Sequence, residues 1–302
     1  MNTIIDTQKP LSYDLLTQYT NRLKEAYNLP CVSIGKSYLG RDIWSFVIGS
    51  GKKKSVYVGG HHGSEWITSL ILLDFLEDIL FCQKNALPFL RNNTELYFKL
   101  NEIHIIPMLN ADGCDLAVSG ISADSPFYEK LIKINGGSDD FHTYQANAKG
   151  VDLNRNYNAA FDRCKSYERQ MGITAPAPTR FGGDYPFSEP ETAAMAKYCA
   201  ETPFDLAVAL HSQGEEIYYS YENLAPKNAV NIARIMAQVS GYTLSEPETV
   251  ASCGGFKDYM IAKYNIPAFT IEVGKGKNPL PLTQFDDIYK KLRKILFFAP
   301  IS

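Results

Sequence analysis

The 302-residue sequence is short of several things, and each shortage closes off a class of function. Basic charge is not in excess: 30 Lys and Arg stand against 33 Asp and Glu, a formal net charge of −3, so the basic face that a nucleic-acid partner needs is missing. The one dense run, Lys52-Lys53-Lys54, falls between two strand-like segments and reads as a solvated hairpin tip. No apolar stretch approaches the ~18 residues of a membrane span. Met1 to Asp6 lacks a basic segment followed by an apolar one, so the chain as given is expected to be cytoplasmic. Six cysteines, Cys31, Cys82, Cys114, Cys164, Cys199 and Cys253, show neither CxxC spacing nor a dense framework, and in a chain this long they read as reduced, mostly buried thiols. There is no Ser/Gly-rich linker, low-complexity tract or repeat, so residues 1–302 are expected to form one domain.

Histidine is scarce too, five in all, and two of them stand together in Gly59-Gly60-His61-His62-Gly63-Ser64-Glu65. This run ends the apolar segment Ser55-Val56-Tyr57-Val58 and puts His62 three residues before Glu65. An imidazole and a carboxylate at that spacing on a tight turn can face one cation, and Zn²⁺ accepts N and O ligands while keeping a position open for water. A third ligand and a base lie downstream. Leu206 to Leu210 is an apolar run leading into His211, and Pro267 to Ile271 is another leading into Glu272. In an open α/β sheet, residues at the carboxyl ends of strands converge on one crevice. His62, Glu65 and His211 therefore make a two-His, one-carboxylate zinc set with one Zn²⁺ per chain, and Glu272 remains to handle protons.

Short, strongly apolar strands at Ile103 to Pro107, Leu206 to Leu210 and Ala268 to Ile271 are of the kind buried on both faces. A hairpin is expected from Cys31 to Val58. Helices are expected at Tyr13 to Ala26, Glu65 to Leu80, Glu189 to Ala200, Asn228 to Ser240, Phe256 to Tyr264 and Phe285 to Phe297. The alternation implies an α/β fold: a single layered domain with a mixed, mostly parallel sheet and helices on both faces.

Together with Ile34 to Arg41, Pro107-Met108-Leu109-Asn110-Ala111-Asp112-Gly113, Gly150-Val151-Asp152-Leu153-Asn154-Arg155-Asn156-Tyr157 and Pro186 to Thr192, these residues resemble the zinc metallocarboxypeptidase family in an ordered set covering nearly the whole chain. Through His211 to Tyr218, Gly254 to Tyr259 and Glu272 to Pro281 the chain is most similar to the bacterial branch containing γ-D-glutamyl-L-diamino acid endopeptidases. The resemblance implies the carboxypeptidase fold. It also chooses His62 over His61, although His61 to Glu65 is a ligand-like spacing as well, and it assigns Glu272 as the catalytic base. Asn154 and Arg155 match the residues that hold a substrate carboxylate, which a planar guanidinium grips in bidentate fashion where Lys would not.

Two positions depart from the family pattern. Counting back from Gly150, the carbonyl-polarising arginine of better-known branches matches Gln145, a weaker neutral donor, unless Lys133 or Lys149 enters the site. Counting back from Gly254, the mobile tyrosine matches Val250. Lys257 falls at the base of the family's specificity pocket and, unless it is a solvated lysine on the first turn of a helix, favours a carboxylate-bearing side chain. His104, between Ile103 and Ile105, reads as a satisfied sheet histidine, and His142 has no assignment. The expected activity is a zinc-dependent peptidase cutting beside a carboxylate-bearing residue, with a peptide or muropeptide substrate and the γ-D-Glu–diamino acid bond of peptidoglycan as the expected target. Two other readings stand beside it: a carboxypeptidase trimming cytosolic peptides, and a non-catalytic metal-binding protein that binds peptides.

Overall fold

Strand edges and helix faces can be followed through residues 4–246 and 253–302, which the computed structural model describes. In chain order the elements are α1 (Tyr13–Tyr27), β1 (Cys31–Lys36), β2 (Asp42–Gly49), β3 (Lys53–Val58), α2 (Ile67–Lys84), α3 (Thr94–Leu100), β4 (Asn101–Ile106), α4 (Ala111–Ser119), α5 (Tyr128–Ile134), α6 (Phe161–Gln170), α7 (Pro190–Glu201), β5 (Leu206–Ser212), β6 (Glu216–Tyr218), α8 (Ala229–Ser240), β7 (Thr243–Leu244), α9 (Phe256–Tyr264), β8 (Ala268–Val273) and α10 (Phe285–Phe298). Local chemistry explains the helix limits. Ser12 caps α1 by accepting from Leu15 N, Asn28 ends it in the left-handed region, and Pro190 opens α7 at a position where its missing N–H costs nothing.

The eight strands form one mixed sheet in the order β1-β2-β4-β3-β5-β8-β6-β7, with parallel pairing from β4 through β8. The two-residue period of a strand divides each central strand between two cores. Tyr57, Leu206, Val208, Leu210, Phe269 and Ile271 enter the larger core, which α2, α8 and α10 complete. Val56, Val58, Ala207, Ala209 and Ala268 enter the other, beneath α7 and α9. Small residues on this second face let α9 approach the sheet closely.

Two expectations need correcting. Only β1 and β2 form a hairpin; β2 and β3 are separated by β4, which pairs antiparallel with β2 and parallel with β3. Pattern alone does not reveal this, because a strand supplied from later in the chain can insert between neighbours. The cysteines are not all thiols either. Cys164 and Cys253 form a disulfide across 89 residues, while Cys31, Cys82, Cys114 and Cys199 are free. Their separation carries no short-range signal. Among the described residues, no helix is long and apolar enough to cross a membrane.

Candidate metal centre and substrate cavity

The pairing of β5 with β8 places His211 directly beside Glu272, on the same sheet face as Ala209 and Thr270. One strand further, β3 ends at Val58 and the chain turns through Gly59-Gly60 into a single 3₁₀ turn, Gly63–Glu65, that His62 precedes in extended conformation. Gly63 permits this turn: a Cβ there would lie 2.4 Å from Gly113 O and 2.7 Å from Tyr144 O. Three strand ends thus deliver His62, Glu65, His211 and Glu272 to one place.

Glu65 lies between the two imidazoles. His62 Nδ1 is 2.9 Å from Glu65 Oε1, and His211 Nδ1 is 3.1 Å from Glu65 Oε2. One donor atom from each of the three residues can be chosen so that all lie within 4.8 Å of one another. The other nitrogen of His62, Nε2, is 3.1 Å from Asp152 Oδ1, a carboxylate–histidine contact that orients the ring and presents Nδ1 to a metal. Ser212 N and Asn278 Nδ2 donate to Glu65 at 3.1 and 3.3 Å and hold its carboxylate in place. Two nitrogens and a carboxylate, braced from behind and facing a cavity, fit Zn²⁺ with a coordination position left open.

The electrostatics agree with a cation there. Burial disfavours the His62 cation, but Glu65 and Asp152 outweigh it and raise its pKa well above the ordinary value. Burial pushes the Glu65 carboxyl up, yet the His62 charge and the hydrogen bonds from both histidines hold it well below the usual range. A buried proton between two carboxylates is a place that a dication can take over, releasing the proton. Glu272 is pushed the other way, well above the carboxylate range, by burial first and then by the negative charge of Glu65; Glu216, which pairs with it across the antiparallel β6–β8 register, adds to this.

The cavity beside these residues has a volume of about 150 Å³ and is also lined by Asn154, Arg155, Tyr218, Lys257 and Asp258. Arg155 Nε is 3.6 Å from Asp152, and Asn154 Oδ1 accepts from Phe256 N at 3.0 Å, joining the 152–155 turn to the start of α9. Gly254 makes that junction possible: at φ 68° it lies so near Arg155 that a Cβ would be 2.5 Å from Arg155 O.

Gln145 is not brought into the cavity. Its side-chain oxygen accepts from Thr179, and its carbonyl accepts from Gly63 N at 3.0 Å, so it braces the ligand turn instead. Nor does a lysine take over, since Lys149 pairs with Glu189 at 3.0 Å and Lys133 is exposed on α5. Lys257 is in the cavity but is neither solvated nor a lone ammonium: it is paired with Asp258. Val250 lies outside the described residues. His61 is fully buried, stacked on the His211 ring at 5.2 Å with Nε2 3.3 Å from Tyr157 OH, a neighbour of the ligand set as expected. His104 is satisfied by Tyr198 OH and by Glu102, and His142 is exposed. Sequence reasoning missed Asp152 and Asp258 as partners; each stands in a quoted motif, but its partner is fixed only by tertiary contact.

Comparison with known proteins agrees with this geometry. A family model described as zinc carboxypeptidase matches residues 16–294. The chain is 33% identical over 290 residues to gamma-D-glutamyl-L-diamino acid endopeptidase 1 of Lysinibacillus sphaericus, covering 95% of this chain and 72% of that one. Among solved structures, carboxypeptidase A from Helicoverpa armigera superposes with a TM-score of 0.71 at 21% identity, covering 100% of this chain and 77% of that one. Murein-tripeptide amidase MpaA from Escherichia coli O157 does so with a TM-score of 0.57 at 20% identity, covering 89% and 91%.

Proposed function

Because the chain belongs to the zinc carboxypeptidase family and is therefore a zinc metallopeptidase acting on peptides, we propose that it cuts beside a residue bearing a free carboxylate, at the γ-D-glutamyl–diamino acid bond of cell-wall peptides. The observation that carries this reading is the placement of Asn154 and Arg155, a carboxylate receptor, in the same cavity as the ligand set and Glu272. The similarity to a γ-D-glutamyl-L-diamino acid endopeptidase over most of both chains supports the particular bond.

His62, Glu65 and His211 would hold the metal, which when bound lowers the pKa of a coordinated water toward ~7 and polarises a carbonyl. Glu272, beside His211, takes the proton of the attacking water and returns it to the nitrogen of the leaving residue. It can do both because opposing fields act on it: burial and Glu65 raise its proton affinity, while His62 and any cation at the ligands lower it. Arg155 and Asn154 fix the leaving residue's carboxylate and so set which bond is presented.

An ordinary carboxypeptidase would use the same receptor. Incubation with γ-linked muropeptide tripeptide and tetrapeptide and with α-linked peptides, products read by mass, separates the two. We expect release of the diamino acid, or of a fragment beginning with it, from the γ-linked peptides alone; loss of single C-terminal residues from the α-linked ones alone would overturn the reading. The Cys164–Cys253 link supports work in oxidising surroundings in place of the cytoplasmic location expected from the N-terminus, because cytosolic thiol buffers keep such pairs reduced. Alkylation of the protein in its native cell, followed by mass measurement, tests this.

A further inference from the structure

Attack on a peptide bond builds negative charge on the scissile carbonyl oxygen, and one donor fixed beside that oxygen is worth about 10²- to 10³-fold in rate. Among the described residues, the Lys and Arg side chains that line the cavity are Arg155 and Lys257, and both are engaged: Arg155 Nε lies 3.6 Å from Asp152, and Lys257 is paired with Asp258. Gln145, which matches the carbonyl-polarising arginine of better-known branches, turns its side chain to Thr179. The cavity therefore has no cation left over for the carbonyl.

The segment that receives Gln145 carries one. Pro178 O accepts from Gln145 N and from Ala146 N, each at 3.0 Å, and Asp152 N donates to Phe181 O at 2.7 Å, so residues 178–181 bridge the Gln145 loop and the 152–155 turn. Arg180 stands between Thr179 and Phe181. Its backbone N donates to Asp152 Oδ2 at 3.2 Å, and Asp152 Oδ1 is 3.1 Å from His62 Nε2, so two contacts separate its main chain from a candidate metal ligand. An arginine side chain, ~6 Å from Cα to guanidinium carbon when extended, is long enough to bring its head into the cavity from there. The backbone of Arg180 is held at φ 67°, a left-handed conformation that residues other than glycine rarely adopt, so its neighbours fix it against local preference. The head is held by little: it is exposed, with Nη1 3.8 Å from Met171 Sδ and no carboxylate partner among the described residues. A thioether is a weak acceptor that an anionic oxygen readily displaces.

We infer that Arg180 is a further catalytic residue: its guanidinium leaves Met171, closes on the scissile carbonyl oxygen and holds the charge that forms there, from the loop that packs on Gln145 instead of from position 145 itself. It donates hydrogen bonds and gives up no proton, so Glu272 keeps both proton transfers. This rests on reading His62, Glu65, His211 and Glu272 as the reacting centre, and not on which bond is cut.

Arg180→Gly tests this, because glycine accepts the left-handed backbone and keeps the amide on Asp152, so that only the side chain is lost. With whichever of the γ-linked and α-linked peptides the wild type cleaves, kcat should fall ~10²-fold or more in this variant, with KM nearly unchanged and one Zn²⁺ per chain retained. Arg180→Lys should recover part of the loss. Phosphinic peptides of both linkages, whose tetrahedral anion imitates the charged oxygen, give a second readout: calorimetry should show their affinity falling with kcat while affinity for the cleavage products stays the same. A kcat within about threefold of wild type overturns the inference, as does a loss that falls on KM or weakens products and phosphinic peptides alike. If the wild type cleaves neither peptide, the proposed bond is overturned, and the inference stands or falls on whether phosphinic-peptide binding depends on Arg180. Arg180→Asn, which also tolerates the left-handed region, takes the place of the Gly variant should that one not fold.

Discussion

Glu272 and His211 sit opposite each other in the β5–β8 ladder, and because the His211 imidazole contacts Glu65 at 3.1 Å, we propose different tasks for them, metal ligand for His211 and proton carrier for Glu272. Glu272→Gln should therefore keep one Zn²⁺ per chain by elemental analysis while turnover falls by ~10²-fold or more, the scale of a lost general base. Zinc loss in that variant, or activity within about tenfold of wild type, would sink the assignment. Arg155→Ala should weaken turnover of free-carboxylate substrates far more than of their amides, since only the former lose a charge-assisted pair worth ~1.5–3 kcal/mol. Equal losses on both would make Arg155 a brace for Asp152. The cluster proposed to hold the metal, His62, Glu65 and His211, was legible in the sequence because each residue ends or follows an apolar run. Asp152 and Asp258 were not read as partners, since what an aspartate touches depends on loops brought together from far apart. Gln145 was misplaced for the same reason: counting from Gly150 finds the position but not the direction in which a side chain leaves a loop.

At the scale of elements, the long periodic helices and the apolar strands appeared where the pattern put them. Helices α3, α5 and α6 and the short strands β6 and β7 did not, because few residues in them are buried and their form is set by packing and caps rather than by a stripe; α4 did not either, because it is short and buried nearly all round, Asp112 and Gly113 included, so it shows no amphipathic stripe. The Cys164–Cys253 link ties α6 to the loop before α9, which in turn carries Gly254 against Tyr157 N and Ala159 O at 3.0 and 2.6 Å. Replacing both cysteines by serine should cost about 2–4 kcal/mol in denaturant unfolding, as expected for closing a long loop. It should also raise KM more than it lowers kcat, since the loop abuts Arg155. An unmoved midpoint would mean that the link does not form. Helix α2 offers a pH test. Burial, with Asp78, Glu77 and Asp286 adding to it, raises Asp74 from 3.8 to about 7. The folded chain thus holds this proton more tightly than the unfolded one. The stabilisation is whole below pH 3.8 and fades as the pH climbs to about 7. Asp74→Asn should therefore stabilise the protein by about 1–3 kcal/mol near pH 8, with the gain vanishing near pH 4. A gain that is the same at both would place its cause outside the titration.

Across the whole molecule, one sheet supplies both cores and the candidate site at once. Strands β3, β5 and β8 each send alternate residues to opposite faces, so the register that buries Leu210 and Ile271 in one core is the register that sets His211 beside Glu272. A slip of one residue would exchange the two faces and remove the site together with the core. The order of the strands was beyond reach of the sequence pattern, but the convergence of their carboxyl ends was not, since it follows from parallel pairing. This arrangement leads us to propose that residues 1–302 fold as one domain whose unfolding is coupled to metal binding. Calorimetry should show a single transition that shifts to lower temperature on chelation and returns with Zn²⁺, because a ligand bound only by the folded chain adds RT ln(1 + [L]/Kd), ~4 kcal/mol at about a thousand times Kd. Two transitions, only one of them metal-sensitive, would divide the chain into separate units. A single transition indifferent to the chelator would mean that His62, Glu65 and His211 hold no metal that matters to the fold.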